Sequence, residues 1–143
     1  MRLSEHFTLE ELTRTDTGIE NLPGLLAVER LLFLANFILE PARRKFGKIH
    51  INSGYRATAV NEKVGGSETS QHVEGGAADI VPLNIDIHEV YMWMRDNLSY
   101  GQLILEEKGG AKWIHVSLPR VGKKNMMAGF FGGHEYLWTE EGV

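Results

Sequence analysis

Two alternating runs, Gln102 to Glu107 and Lys112 to Leu118, flank a Gly109-Gly110 pair. A period of two marks strands with one buried face, and paired glycines supply the backbone angles that tight hairpin turns demand. The chain must therefore fold around an antiparallel hairpin, whose parity assigns each side chain to a face before any other element is placed. Ile114 and Val116 fall on the apolar face, while Trp113, His115 and Ser117 fall on the more polar one, where a cleft is expected. With a two-residue turn, Lys108 pairs with Ala111, Glu107 with Lys112, Glu106 with Trp113 and Ile104 with His115. A four-residue turn from Gly109 to Lys112 keeps the parity and sets Glu106 opposite His115. In either register Glu106 shares the face of His115, and in the first Glu107 makes a cross-strand charge pair with Lys112 on the far face.

The other elements follow from local signals. Thr8 and Glu11 have the spacing of a capping box, so a short helix begins there. From about Leu25 to Phe46, Leu26, Leu31, Leu32, Phe33, Ala35, Ile38 and Leu39 recur at helical spacing, with Pro41 expected to kink or split the helix and Gly47 to stop it. Lys48 to Ser53 and Ala77 to Val81 read as strands, 57–64 as a short helix, and Ile87, Val90, Tyr91 and Met94 as one face of a helix from Asp86 to Leu98. Met92, Trp93 and Met94 are expected to pack rather than to bind a cofactor. Beyond Pro119 lie an apolar run, Met126 to Phe131, and a break at Gly132-Gly133. The order of elements predicts an α+β fold, an antiparallel sheet with helices on one face. One domain is expected, with a helical lead-in over about 1–47, a metal-binding core over about 48–118 and a C-terminal extension over about 119–143.

Composition narrows the function. The chain has 143 residues, 43% of them hydrophobic, and a formal net charge of -4. Its basic clusters are short, Arg43-Arg44-Lys45 and Lys123-Lys124, which argues against a nucleic-acid groove. There is no cysteine, so a metal site has to be built from histidine and carboxylate. The opening residues contain no apolar run like a signal peptide, and the most apolar stretch, Leu31 to Leu39, is too short and too polar to span a bilayer. A cytoplasmic location and a monomer are the expectations.

Ser70 to Asp79 places a histidine at a loop end and an aspartate seven residues on, inside a strand, with Gly75 and Gly76 allowing a tight turn between them. Asp79, flanked by Ala77, Ala78, Ile80 and Val81, is costly to bury unless something positive pairs with it. A metal ion would serve; a helix cap or an arginine partner are the alternatives. His115 is the third candidate ligand. Two imidazoles and a carboxylate suit zinc and leave a coordination position for water, which becomes the nucleophile. Glu106 is the expected base. His6, His50, His88 and His134 have no comparable spacing and receive no role, and Glu74 and Glu89 are expected to be solvated.

These residues resemble the zinc D-alanyl-D-alanine carboxypeptidases and their relatives among phage endolysins and hedgehog domains. The motif Ser-x-His-x-x-Gly-x-Ala-x-Asp is met by Ser70, His72, Gly75, Ala77 and Asp79, and the second motif, Trp-x-His, by Trp113 and His115. Ser53-Gly54-Tyr55-Arg56 with Val60-Asn61 is similar to the substrate-side segment, and Ser4 to Thr8 through Glu40-Pro41 to the helical lead-in. The resemblance implies cleavage of a peptide bond involving a D-amino acid in peptidoglycan stem peptides, with zinc on His72, Asp79 and His115 and proton transfer by Glu106. It also implies that Arg56 holds the substrate's carboxylate and that Ser70 supports the site; read alone, Arg56 is a surface arginine on a turn. Some branches carry the acid three residues before the last histidine, where this chain has Lys112. Carboxypeptidase and endopeptidase action are both compatible with the motif. A wall substrate with a cytoplasmic chain would fit release by lysis and a phage or prophage origin. The rival reading is a catalytically silent, zinc-stabilised recognition module.

Overall fold

A computed structural model of the chain describes residues 1–120, 126–132 and 135–141, the last two ranges as backbone only. The elements run α1 (Leu9–Thr13), α2 (Leu25–Leu34), a π-helical turn (Ala35–Leu39), α3 (Glu40–Phe46), β1 (Ile49–Ser53), α4 (Thr58–Lys63), a 3-10 turn (Gln71–Glu74), β2 (Ala77–Pro82), α5 (Ile87–Asn97), β3 (Gln102–Lys108), β4 (Ala111–Ser117), β5 (Met126–Gly132) and β6 (Glu135–Glu141). The sheet order is β1-β2-β4-β3-β5-β6. Its first four strands are antiparallel throughout, as expected. β5 then adds in parallel to β3, and β6 pairs antiparallel with β5. Residues Lys123, Lys124, Gly133 and His134 lie outside the described residues.

The hairpin takes the two-residue register, with Lys108 opposite Ala111, Glu106 opposite Trp113 and Ile104 opposite His115. Parity then builds two kinds of row across the sheet. Ile51, Ile80, Ile114 and Leu105 form one, and each is 4% exposed or less. Against them pack Leu31, Leu34, Ile38 and Leu39 of the long helical segment and Val90, Tyr91 and Met94 of α5, in one continuous core. Burying each such side chain contributes roughly 1.5–3 kcal/mol, so this face anchors the sheet.

The neighbouring row is Ser53, Asp79, His115 and Ile104, on the opposite face. Ser53 joins it only because β1 bulges between Ile51 and Ser53, which reverses the face that simple alternation would give.

Several expectations are corrected. Leu26, Leu32 and Phe33 are not core residues but are 66%, 42% and 44% exposed; the buried flank of α2 is Ala27, Leu31 and Leu34. The chain stays helical past Pro41, with a widened turn just ahead of it in which the Glu40 N–H bonds the Ala35 carbonyl. Proline lacks an N–H and its ring crowds the carbonyl four residues back, and a π turn relieves both. Glu107 stands opposite Lys112, but they form no ion pair among the described residues. Met94 is buried and Trp93 packs edge-on against Phe46, whereas Met92 is exposed. Among the described residues, no helix is long and apolar enough to cross a membrane.

Candidate metal centre

His72 is held by the 3-10 turn. Ser70 caps that turn, its Oγ accepting the His72 N–H at 3.2 Å, and Gly75 ends it at φ 79°, so close to α2 that a Cβ there would lie 2.5 Å from the Ala27 carbonyl oxygen. The ring is 2% exposed. Its Nδ1 lies 2.7 Å from the Gly54 carbonyl oxygen. A carbonyl only accepts, so Nδ1 carries the proton and the neutral ring presents a lone pair at Nε2. That atom is buried without a hydrogen-bond partner, 3.3 Å from Asp79 Oδ1.

Asp79 and His115 are cross-strand neighbours on β2 and β4, with His115 Nδ1 3.0 Å from the same Oδ1. On the far side of that ring, Nε2 lies 3.2 Å from Gln102 Oε1. An amide oxygen also only accepts, which leaves Nδ1 as the inward-facing lone pair of the neutral ring. The ligand atoms of His72, Asp79 and His115 all lie within 4.8 Å of one another. Burial by itself would raise the Asp79 carboxyl, but the His115 and His72 imidazoles that face it outweigh this and hold it well below the ordinary carboxylate range. Two lone pairs can face a carboxylate only across protons or a cation, and a divalent ion displaces those protons on binding. Two imidazole nitrogens and a carboxylate oxygen, without thiolate, fit zinc.

The remaining predicted residues, Arg56, Ser70 and Glu106, line one cleft with these three, of about 780 Å3. Arg56 is no surface turn residue: its side chain is 15% exposed. It donates from Nε to Ser53 Oγ at 3.1 Å, from Nη1 to Asn61 Oδ1 at 3.0 Å and from Nη2 to Asp79 Oδ2 at 3.4 Å. Gly66 backs this cluster, where any Cβ would collide with Asn61 Oδ1. Glu106 is oriented by its cross-strand neighbour, Trp113 Nε1–H donating to Oε2 at 2.7 Å. A family model described as Peptidase M15 matches residues 5–117.

The chain belongs to the peptidase M15 family. It is accordingly a peptidase, a hydrolase of peptide bonds. The peptidase M15 match takes in the helical lead-in and all six residues above, and ends in β4, ahead of β5 and β6. No curated protein matches the chain. The lead-in earns its place in the peptidase M15 region by gripping the loop that carries Arg56. Asn21 donates to the carbonyls of Thr13 and Tyr55 and accepts the Ala57 N–H at 2.7 Å, and the Tyr55 N–H bonds the Leu12 carbonyl.

Sequence reasoning passed over Gln102 and the Gly54 carbonyl, the two groups that fix the ring nitrogens. Gln102 had a usable signal, since it shares the parity of Ile104 and Glu106; the Gly54 carbonyl had none, being backbone. His6, given no role, bonds the buried Glu40 through Nδ1 at 3.0 Å.

Proposed function

We propose that the chain is a zinc peptidase acting on bonds that involve D-amino acids in peptidoglycan stem peptides, with His72 Nε2, Asp79 Oδ1 and His115 Nδ1 as ligands. The observation that carries this reading is the buried, partnerless Nε2 of His72 facing Asp79 and His115 in the cleft that holds Glu106. When bound, zinc polarises the scissile carbonyl and acidifies the attacking water. Glu106, steadied by the Trp113 N–H, takes a proton from that water as its oxygen adds to the carbonyl carbon, and passes it to the leaving nitrogen as the C–N bond breaks. Arg56 has two N–H groups beyond those already bonded, and these hold a substrate carboxylate. Ser70 keeps the His72 turn in place. The substrate class is supported by the resemblance of the two metal motifs.

The test is mass spectrometry of stem peptides after incubation with zinc-loaded protein and with zinc-loaded Glu106→Gln. We expect cleavage by the first, a loss of about 10²- to 10⁴-fold in the second, and a product mass that names the bond. Cleavage by neither, with zinc shown to be bound, would overturn the reading in favour of a recognition module.

A further inference from the structure

The helical segment that buries Leu31, Leu34 and Ile38 on one flank carries a second apolar stripe on another. Leu26, Phe33 and Phe37 are 66%, 44% and 64% exposed, and the two phenylalanine rings stack with centroids 5.8 Å apart. Between the leucine and the phenylalanines lie Glu29 and Arg30, both exposed. At 3.6 residues per turn, positions 26, 29, 30, 33 and 37 fall within an arc of about 100°. The stripe forms one wall of a groove whose other wall includes Leu98, Leu118 and Pro119. Exposed leucine and phenylalanine side chains gathered along a groove of this kind mark an interaction site.

The order of side chains along the stripe says what covers it. An antiparallel pair of identical helices, related by a two-fold axis between residues 29 and 30, brings each residue against the one equally far from the axis on the other copy. Leu26 then meets Phe33 of the second copy and Glu29 meets its Arg30, each contact occurring twice. The stripe is thus complementary to itself in both shape class and charge. A lipid surface fits less well, because it offers Glu29 no partner and favours a basic polar face that this stripe lacks.

We propose that this stripe is a homodimer interface whose occupant is the same stripe of a second copy, replacing the monomer expected from sequence. Sedimentation equilibrium over a concentration series tests it. The mass should move from one chain to two as concentration rises. Glu29→Arg or Arg30→Glu alone sets like charges face to face and weakens association about tenfold. The double exchange, Glu29→Arg with Arg30→Glu, should restore it, and Leu26→Asp should abolish it. All three positions used are exposed, so the variants retain the parent circular dichroism spectrum. A one-chain mass at every concentration, or a double exchange no tighter than either single, overturns the proposal. Pelleting of a one-chain species with anionic lipid vesicles would likewise overturn it and assign the stripe to a membrane surface.

Discussion

Gln102 and Glu106 are the two diagonal neighbours of His115 on β3, either side of Ile104, and they act on different atoms. Glu106 is turned toward the cleft by Trp113, whereas Gln102 fixes the His115 ring through Nε2, 3.2 Å away. The backbone of Gln102 is itself tied down, its N–H donating to Ser117 Oγ at 2.9 Å. A residue that orients a metal-binding imidazole typically accounts for 10- to 100-fold in metal affinity. Gln102→Leu should therefore weaken zinc binding by roughly that factor, read by competition with a chromophoric chelator, while Gln102→Glu, which keeps an acceptor, should not. Equal zinc affinity in the parent and the leucine variant would remove Gln102 from the site. The choice of Glu106 over Glu107 was legible from hairpin parity alone. The role of Gln102 was not, because a diagonal contact depends on how far a side chain reaches and where a ring turns.

Among the elements, the lead-in is joined to the long helical segment through Glu40. This carboxylate, 1% exposed, accepts Ser4 Oγ at 2.8 Å, the His6 N–H at 2.5 Å and the His6 ring at 3.0 Å. Burial alone would raise its carboxyl; the hydrogen bonds from His6 and Ser4 hold it below the ordinary carboxylate range. A folded-state pKa that is depressed adds stability above the unfolded value and loses it as pH falls through the folded one. Glu40→Ala should cost about 1–3 kcal/mol in urea unfolding at neutral pH, since it leaves the Ser4 and His6 donors without their acceptor. The difference between the two proteins should shrink on acidification, and a difference independent of pH would show that Glu40 acts by packing alone. The π turn ahead of Pro41 belongs to the same scale. The sequence predicts an interruption there, but only the packed helix decides that the interruption is a widened turn.

At the scale of the molecule, the three candidate ligands come from the 3-10 turn, β2 and β4, so no single element holds the candidate centre. A metal that binds only the folded chain stabilises it by mass action, by about 2.7 kcal/mol at a hundredfold excess over the dissociation constant. Zinc should raise the melting temperature by roughly 5–10 °C and a chelator should reverse it. The shift should vanish in His115→Ala. An unchanged melting curve in the parent would mean that the site holds no metal.

Sequence by itself determined the antiparallel frame and the face on which each hairpin residue lies, Glu106 and His115 among them. These follow from periodicity and glycine placement, which are local properties of the chain. His72 and Asp79 stood out by their spacing and flanking residues, whereas Arg56 and Ser70 were implied only by the family resemblance. Tertiary structure decided which nitrogen each imidazole presents, since that depends on the Gly54 carbonyl 18 residues from His72 and on Gln102 13 residues from His115. It also decided that Arg56 is drawn inward, that a bulge turns Ser53 toward Asp79, and that Leu26 and Phe33 point away from the core. Helical periodicity says that a flank is apolar; which of two apolar flanks is buried is settled only by what packs against it.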